Sequence, residues 1–471
     1  MTKRALFWTA TFCLLVGAFG VAGCSDSNNS GEKPDGGMNG GCDITATDTM
    51  SLEQAFADVK SNQTICIEPG TYTPSRQLGV ASATGVTVMG TDPDREKVVL
   101  DFDGVSGKGI FITANDFTLK NVWIKNTSDN GVEAKNQKSH FDNIKVSWDR
   151  GPDTMNGRYG IYPTHCSETI VENSEVTDAS DAGLYVGQCT KAIIRNNKVH
   201  TNVAGIEVEN SVDADVYGNE VFDNAGGILA LLESGLDLTK NENVLFRDNN
   251  VHDNNHVNFA HAGSTVSNVP SGTGIMVLGS NKVEIRGNTV KNNNTAGVLV
   301  VGANVFGLLD ILTGSAPPPQ TDIDPFSRNV YIHGNTWMDN GTSPDFLIKQ
   351  LAAPNTTTAD VLWGGILPYA PNADSDIGYG DLLTGAYADS SRFDPNDDQM
   401  FCLGDPASGS RTYMDLRIPC LNPQDILPTA PPPVTPVGID CTTRIVTTPE
   451  PARTCATPPT VPEQTFDQSN G

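Results

Sequence analysis

The chain has 471 residues, of which 56 are Asp or Glu and 30 are Lys or Arg, so its net charge at pH 7 is −26. This length permits a large core or several domains. The acidic balance disfavours nucleic acid as a partner, and it repels any anionic polymer unless cations or a local basic cluster intervene.

The N-terminus has the pattern of a targeting signal. Lys3 and Arg4 precede an apolar run that is short for a membrane span and ends at a small-residue cleavage site. The sequence Val21–Cys24 resembles the lipobox of bacterial lipoproteins. This implies a signal peptide of residues 1–23, a lipid on the Cys24 thiol and, because Ser25 follows, the outer membrane. An ordinary secretory signal is the alternative.

Residues 24–42 are rich in Ser, Asn and Gly and predict a flexible tether. Met50–Ser61 then has helical periodicity, with Ser51 as its N-cap. Thr64–Tyr72 has the pattern of a strand followed by a turn. We expect the helix to cover the open end of a stack of coils, where apolar surface and strand edges would otherwise face water.

A unit of constant length repeats through the middle of the chain. Gly160, Gly183 and Gly205 lie 23 and 22 residues apart and begin similar segments. A period of this length is typical of a solenoid, and the alternation of apolar and polar residues within each unit indicates strands. The predicted fold is therefore all-β, a right-handed parallel β-helix over residues 43–345. Further coils begin at Gly109, Gly131, Gly227, Gly274 and Gly297.

A second strand repeats as hydrophobic-x-x-Asn-x-hydrophobic, and another asparagine follows five residues later. Asn tolerates a left-handed backbone, and its amide can bond to the same amide one coil away. We interpret these residues as two structural ladders. They are Asn197, Asn219, Asn249, Asn288 and Asn335, and then Asn202, Asn224, Asn254, Asn293 and Asn340.

Three coils carry insertions, at residues 149–157, 254–271 and 303–328. Insertions in solenoids lie on one face and often wall a groove. Beyond Asn340 the period is lost, so residues 346–427 predict an irregular region that packs on the coils. The Pro/Thr-rich tail, residues 428–471, predicts extended or disordered chain.

Eight cysteines remain once Cys13 in the signal and Cys24 are set aside, an even number that suits an oxidising compartment. Cys166 and Cys189 occupy the same position in consecutive coils. Stacked strands lie about 4.8 Å apart, within the Cα range of a disulfide, so this bridge is predicted. Proximity in the sequence suggests Cys42–Cys66, Cys402–Cys420 and Cys441–Cys455.

Two columns of side chains point outward from the glycine-led strands, because alternate residues of a strand face opposite sides. From Leu229 onward both columns are apolar, so residues 305–312 and the chain after Asn340 are expected to cover them. Before Leu229 the columns are charged and aromatic and are expected to be open to solvent. This patch is the candidate site, formed by Glu133, Lys135, Tyr162, Tyr185, Glu207 and Glu209.

The residue types of this patch suit acid–base chemistry on sugars. Lys and Tyr act as base and acid when their pKa values are tuned. Glu207 and Glu209 lie about 6.8 Å apart at Cα, which fits the two carboxylates of a glycosidase. A solvated polar face is the alternative. The catalytic candidates are Glu207, Glu209, Tyr185, Lys135 and Tyr159, and the candidates for substrate binding are Glu133, Tyr162, Gln188 and His165.

Two groups of residues have the chemistry of metal ligands. Asp178 and Asp181, in the turn before Gly183, could bind Ca²⁺ with nearby carbonyls, or could equally serve as turn residues. Three histidines at 252, 256 and 261 could form a metal site, but a flexible loop is the favoured interpretation because no carboxylate motif accompanies them.

Residues 64–340 resemble the right-handed parallel β-helix superfamily, which includes pectate lyases and alginate epimerases. Ser180–Gln188 and Val203–Ser211 are similar to exported bacterial β-helix-repeat proteins of unestablished function. The segment Tyr159–Pro163 resembles the Tyr-Gly-Phe-Asp-Pro-His motif of mannuronan C5-epimerases. Tyr162 stands at that family's catalytic Asp and Thr164 at its His, so the resemblance carries over only Tyr159 and Lys135.

These features together predict a monomeric, lipid-anchored outer-membrane protein that binds a polysaccharide along the outward face. If it is an enzyme, it is expected to be a polysaccharide lyase, a C5-epimerase or a glycoside hydrolase. The alternative is a non-enzymatic carbohydrate-binding or envelope-structural protein. Membrane contact is expected through the lipid only, nucleic acid is not expected, and Ca²⁺ is the cofactor considered.

Overall fold

The computed structural model describes residues 41–303, 327–364 and 401–416, with shorter pieces at 305, 322–324, 445, 447 and 458–466. The predicted signal peptide and Cys24 lie outside these residues, as do Cys420, Cys441 and Cys455. Within the described ranges, no helix has both the length and the apolar character that a membrane span requires.

A short helix covers the N-terminal end of the fold. Helix α1 spans Thr49–Asp58, and its N-cap is Asp48, whose carboxylate accepts a hydrogen bond from the Ser51 N–H at 2.7 Å. The Ser51 hydroxyl accepts in return from the Asp48 N–H at 3.0 Å. Ser51 is therefore the third helical residue of a capping box and not the N-cap that we predicted. Leu52 and Phe56 are buried in the core.

The strands pair in parallel and are stacked in three columns. The first column is an eleven-stranded sheet in the described chain. It consists of β4 (Leu78–Val80), β7 (Ile110–Ile112), β9 (Val132–Ala134), β11 (Tyr159–Pro163), β14 (Ala182–Gly187), β17 (Ala204–Glu209), β20 (Gly226–Leu231), β23 (Thr273–Leu278), β26 (Ala296–Val301), β29 (Val361–Trp363) and β31 (Tyr413–Asp415).

The second and third columns share one sheet, because β8 and β10 are long enough to run through both. The second contains β1 (Ile44–Ala46), β2 (Thr64–Ile67), β5 (Val86–Gly90), β8 (Phe117–Lys125), β10 (Gln137–Ser147), β12 (Ser167–Glu172), β15 (Thr190–Arg195), β18 (Val212–Tyr217), β21 (Glu242–Arg247), β24 (Asn281–Arg286), β27 (Arg328–His333) and β30 (Phe401–Leu403). The third adds β3 (Gly70–Tyr72), β6 (Val98–Asp101), β13 (Glu175–Thr177), β16 (Lys198–His200), β19 (Glu220–Phe222), β22 (Asn250–His252), β25 (Thr289–Lys291) and β28 (Thr336–Met338).

The core lies between these columns and is built as the repeat predicts. Ile161 pairs with Leu184, Leu184 with Ile206, and Ile206 with Ile228, and all four side chains are buried. The glycine that precedes each of them is required by packing. A Cβ at Gly205 would lie 2.6 Å from the carbonyl oxygen of the next coil's glycine, closer than any side chain tolerates.

Both predicted asparagine ladders are present. In the first, Asn219 Nδ2 donates to Asn249 Oδ1 at 2.9 Å, and the N–H of Asn219 donates to the same oxygen at 3.0 Å. This pair of bonds recurs from coil to coil as far as Asn335 in the first ladder and Asn340 in the second. Asn340 Nδ2 then donates to Asp360 Oδ1 at 2.9 Å. The asparagines are buried, so their role is structural.

The stack continues beyond residue 345, where the predicted β-helix ended. Strand β29 pairs with β26, β30 with β27, and β31 with β29. These late strands are three residues long and are separated by stretches without the glycine period, so the sequence pattern does not reveal them. Helix α2 (Phe346–Ala352) supplies Ile348 and Leu351 to the cover of the apolar columns, in agreement with the cover predicted for the chain after Asn340. Of the other predicted cover, residues 306–312 lie outside the described chain.

Two disulfides join neighbouring coils among the described residues. Cys166 and Cys189 are bridged at a Cα–Cα distance of 4.4 Å, and Cys42 and Cys66 at 5.6 Å. Both pairings confirm the predictions. Cys402 is also disulfide-bonded, but its predicted partner lies outside the described chain.

Candidate functional site

The outward columns of the first sheet have the register that the glycine period predicts. Tyr162 pairs with Glu133, and Tyr185 pairs with Glu207 in the next coil. Leu229 follows Glu207 in the same column. These side chains therefore lie on one wall of the β-helix, stacked in chain order.

The exposure predicted for this wall is wrong for four of the six patch residues, whereas Tyr162 is half-buried and the Lys135 side chain is 45% exposed. Glu207 is 1% exposed, Tyr185 3%, Glu133 4% and Glu209 6%. Strand alternation does place these side chains outside the core, but other parts of the chain cover them. The open patch is therefore a buried cluster.

The insertion at residues 254–271, called the lid segment from here on, is one of these covers. Its Val266 and Val269 share an apolar cluster with Tyr185 and Ala204. Gly226 permits the close approach, because a Cβ there would lie 2.8 Å from Val269 Cγ1. The lid segment is also attached to the first insertion, since Thr154 Oγ1 donates to the carbonyl oxygen of residue 259 at 2.9 Å.

Three tyrosine rings pack together beneath this cover. The centroids of Tyr159 and Tyr162 are 4.3 Å apart in a stacked arrangement, and Tyr185 lies 4.9 and 4.5 Å from them. The ring of Tyr185 extends over Gly187, where a Cβ would lie 2.0 Å from the hydroxyl oxygen. This path brings the Tyr185 hydroxyl to Glu209 Oε1 of the neighbouring coil, to which it donates at 3.0 Å.

Glu207 and Glu209 form a hydrogen-bonded carboxyl pair. Burial, followed by the charge of Glu209, raises the pKa of Glu207 well above its ordinary value. Burial raises the pKa of Glu209 to about 8, against the opposing effect of hydrogen bonds from Glu207 and Tyr185. Two acids in contact cannot both ionise, so the pair retains a proton at pH 7. None of the described residues donates a hydrogen bond to Glu207 Oε2.

Two more carboxyl groups complete the site. Burial raises the pKa of Asp181 to about 7, against the opposing effects of Arg158 and Tyr159. Burial also raises the pKa of Glu233, and Thr265 of the lid segment opposes this. We call the whole set the acid–tyrosine cluster: Tyr159, Tyr162, Asp181, Tyr185, Glu207, Glu209 and Glu233.

The tyrosines of the cluster are proton donors rather than bases. Burial raises the pKa of Tyr162 to about 12, and it raises the pKa values of Tyr159 and Tyr185 well above the ordinary value. At neutral pH their hydroxyls are therefore un-ionised and donate hydrogen bonds.

The predicted site residues Glu133 and Lys135 border the cluster, because Glu133 pairs with Tyr162. Glu133 Oε2 accepts from Asn130 Nδ2 at 2.7 Å and lies 3.3 Å from Lys108 Nζ. Lys135 Nζ lies 3.4 Å from Glu133 Oε1, and its side chain is 45% exposed. These ion pairs provide charged partners for the buried Glu133 carboxylate.

The predicted substrate-binding residues Gln188 and His165 contact the loop of residues 232–241. Gln188 Oε1 accepts from the N–H of Asp237 at 2.9 Å. His165 Nε2 lies 3.4 Å from Asp237 Oδ2, while its Nδ1 lies 3.0 Å from Thr164 Oγ1. Both side chains therefore hold a covering loop in this structure.

The metal candidates are not brought together. Asp178 has a φ of 70° and accepts from Thr177 Oγ1, as a turn residue does, whereas Asp181 belongs to the acid–tyrosine cluster. His252 stacks on a phenylalanine ring, and His256 lies 3.4 Å from Asp223. Within the described ranges, the group with metal-ligand geometry is on the other sheet and consists of His140, Asp142 and Glu172. Arg195 Nε lies 2.6 Å from Glu172 Oε2, a contact that disfavours a cation there.

Sequence reasoning missed two members of this site. Glu233 lies in a loop after β20, outside the repeating strands, so no period points to it. Gly187 is visible in the sequence as a glycine in a column where other coils carry side chains, and that gap predicts a large neighbouring ring.

Comparisons with known proteins agree with the fold. A family described as right handed beta helix region matches residues 108–268 and 154–308. Comparison with curated proteins gives no match. Among solved structures, the A-module of mannuronan C-5 epimerase AlgE4 from Azotobacter vinelandii is 15% identical over 68% of this chain and 88% of its own, with a TM-score of 0.46.

Two further structures are similar at the same level. Alginate lyase from Paenibacillus sp. str. FPU-7 is 14% identical over 64% of this chain and 98% of its own, with a TM-score of 0.30. DFA-IIIase from Arthrobacter chlorophenolicus A6 is 12% identical over 67% and 87%, with a TM-score of 0.41. Such values carry no information on the reaction. The stacked parallel strands and the family match together identify the chain as a right-handed parallel β-helix protein.

Proposed function

We propose that the protein is a carbohydrate-active enzyme whose acid–base centre is the acid–tyrosine cluster. The observation that carries the proposal is the hydrogen-bonded pair of Glu207 and Glu209, which keeps a proton at neutral pH beside the Tyr185 hydroxyl. A buried acid whose pKa lies near the working pH is suited to proton transfer.

The contact between the two carboxyl groups favours proton abstraction over glycoside hydrolysis. Glycosidases keep their carboxyl groups about 5 to 9.5 Å apart, so that a sugar or a water fits between them. Glu207 and Glu209 are in direct hydrogen-bond contact. We therefore assign a lyase reaction, in which ionised Glu209 removes the C5 proton and the Tyr185 hydroxyl, 3.0 Å away on the same face of the sugar, protonates the leaving glycosidic oxygen as the C4–O bond breaks.

An anionic sugar is compatible with this site because the cluster holds its protons. Neutral carboxyl groups donate hydrogen bonds to a uronate carboxylate and do not repel it, despite the net charge of −26. Tyr159 and Tyr162 are half-buried at the edge of the cluster, and their stacked rings offer an apolar surface to a pyranose.

The lid segment has to move for a polymer to reach the cluster, since Glu207 is 1% exposed. Lids of this kind open and close on the microsecond to millisecond timescale. We place the lid segment in that role because it is an insertion whose Val266 and Val269 pack in one apolar cluster with Tyr185.

The proposed location is the bacterial outer membrane, with the protein anchored by a lipid on Cys24. This part rests on the lipobox-like sequence Val21–Cys24 and on the tether that follows. Detergent phase partitioning checks it. The full chain is expected in the detergent phase and Cys24→Ser in the aqueous phase, and partition of both into water contradicts the anchor.

Incubation with alginate, pectate and neutral glycans tests the reaction. Unsaturated ends indicate a lyase, C5 inversion an epimerase and new reducing ends a hydrolase. We expect Glu209→Gln and Tyr185→Phe to lower turnover at least about 100-fold. The matched control Glu175→Gln, on the other sheet, is expected to retain activity. Equal loss in the control, or turnover that survives in both site variants, contradicts the assignment.

The burial of the cluster favours one alternative, a non-enzymatic carbohydrate-binding or envelope protein. In that case the lid segment is a permanent cover, and the neutral acids contribute only to packing. Binding of a glycan without turnover, with no change in the accessibility of the lid segment, supports this alternative.

A further inference from the structure

The described end of the chain, residues 458–466, lies across the outer face of the second column of strands. The N–H of Val461 donates to Glu284 Oε2 at 2.5 Å. Three residues later, the N–H of Gln464 donates to Asp215 Oδ2 at 3.1 Å. Both carboxylates are buried, with exposures of 3% and 0%, so two backbone donors satisfy acids that water does not reach.

Two arginines bind the acidic side chain between these donors. Arg286 Nη2 donates to Glu463 Oε1 at 2.5 Å, and Arg247 Nη2 lies 3.6 Å from Glu463 Oε2. Arg247 is itself fixed, because it contacts both oxygens of Asp215 at 3.1 and 3.2 Å and lies 3.8 Å above the ring of Tyr217. The charged surface is thus formed within the coils and does not depend on the tail.

The spacing of the acceptors matches one turn of an extended peptide. Asp215 pairs with Leu245, and Leu245 pairs with Glu284, so the acceptors are two coils apart. Two strand spacings amount to about 9.6 Å. A polyproline II helix repeats every three residues and rises about 9.3 Å over them, so residues 461 and 464 present their N–H groups to the same side at the distance required.

The sequence of the tail favours that conformation. Pro458, Pro459 and Pro462 have fixed φ values near −65°, and a residue before proline, such as Val461, is restricted to extended backbone. The Val461 side chain is 4% exposed, whereas Thr460 and Glu463 are exposed. A buried Val461 flanked by exposed residues is the arrangement expected for an extended ligand in a groove.

We propose that Asp215, Leu245, Arg247, Glu284 and Arg286 form a recognition groove for a polyproline II peptide of the form Val-Pro-Glu-Gln. Its resident ligand is the chain's own residues 458–466, bound reversibly in cis. The groove lies on a different sheet from the acid–tyrosine cluster and does not depend on the function proposed for that cluster.

The test uses a fluorescent peptide of residues 458–466 and the full chain. In the wild type, the attached tail occupies the groove at an effective concentration in the millimolar range, so micromolar peptide is not expected to bind. Val461→Asp places a carboxylate against Glu284, and Glu463→Lys opposes the two arginines. Each change in the full chain is expected to release the tail and to raise the peptide's affinity by about tenfold or more.

Peptide variants supply the controls. Glu463→Lys in the peptide is expected to abolish binding to the Val461→Asp protein, whereas Thr465→Ala, at an exposed position, is expected to leave binding unchanged. Hydrogen exchange on the wild type is expected to show slower exchange at residues 461 and 464 than in the free peptide. The proposal is overturned if the peptide binds neither folded full-chain variant. It is also overturned if the amides of residues 461 and 464 in the wild type exchange as fast as they do in the free peptide. A concentration-dependent dimer with protected tail amides overturns the cis assignment.

Discussion

Tyr185 and Glu209 are joined across neighbouring coils by a hydrogen bond of 3.0 Å, and both are buried. The bond depends on Gly187, which pairs with Glu209 and leaves room for the tyrosine ring. A ring from one coil thus determines the environment of an acid in the next.

Loss of the Tyr185 hydroxyl is expected to destabilise the fold. Tyr185→Phe leaves a buried carboxyl oxygen of Glu209 without its donor, which costs about 1 to 3 kcal/mol. Urea denaturation measures this change in the free energy of unfolding. The matched control is Tyr331→Phe on the other sheet, whose ring is only partly buried, and its effect is expected to be below about 0.5 kcal/mol. Equal stability of wild type and Tyr185→Phe contradicts the role of the bond.

The stability of the protein is expected to fall as pH rises from 6 to 9. Folding raises the pKa of Glu209 from 4.5 to about 8 and that of Asp181 from 3.8 to about 7. The folded state therefore keeps protons that the unfolded state has released. Between the unfolded and folded pKa values, the free energy of unfolding decreases by about 1.4 kcal/mol per pH unit for each such group.

Thermal denaturation between pH 6 and 9 measures this slope. The double variant Glu207→Gln/Glu209→Gln is expected to reduce the slope to the part contributed by Asp181, because the amides do not titrate. Glu175→Gln is the control, since hydrogen bonding to His200 lowers the pKa of Glu175 to about 2 and its charge is constant over this range. A wild-type melting temperature that does not change from pH 6 to pH 9 is incompatible with the buried acids described above.

A side chain at Gly226 is expected to displace the lid segment. A Cβ there would lie 2.8 Å from Val269 Cγ1, so Gly226→Ala is predicted to increase hydrogen exchange and proteolysis within residues 254–271. Val269→Ala in the same chain removes the clashing methyl group and is expected to restore protection. Identical exchange in the wild type and Gly226→Ala would show that the lid segment does not depend on this contact.

The middle of an asparagine ladder is expected to be more sensitive than a surface asparagine. Asn249→Ala removes the oxygen that accepts from both Asn219 donors and the Nδ2 that donates to Val216 at 2.9 Å. The expected loss is about 2 to 4 kcal/mol in the free energy of unfolding. Asn355→Ala, at an exposed position, is expected to change it by less than about 0.5 kcal/mol. Similar values for the two variants contradict the ladder's contribution.

The coils were predictable because their determinants repeat. Glycine at each strand start, apolar residues at Leu184 and Ile206, and the ladder asparagines recur at one period, and each meets its own copy in the next coil. The register of Tyr185 with Glu207 follows from that period alone. The late strands such as β29 and β30 carry no such period, and for that reason the predicted stack ended too early.

The exposure of the candidate site could not be predicted in the same way. Whether Tyr185 faces water depends on Val266 and Val269, which belong to an insertion without a period of its own. The contact between Glu207 and Glu209 is also invisible in the sequence. Their spacing along a strand sets the Cα distance but not where the two carboxyl groups lie.

The hydrogen bonds of the second asparagine ladder all run in one direction along the stack, and the ladder ends at Asp360. Each asparagine side chain donates hydrogen bonds to the asparagine of the next coil. The last of them, Asn340, donates through Nδ2 to Asp360 Oδ1. Thr412 donates to Asp360 Oδ2 from the opposite side through its N–H at 2.8 Å and its hydroxyl at 2.7 Å. A further coil inserted before Asn340 would therefore find a ladder acceptor in the coil that follows it. A coil inserted between Asn340 and Asp360 would need its own ladder asparagine to donate to Asp360.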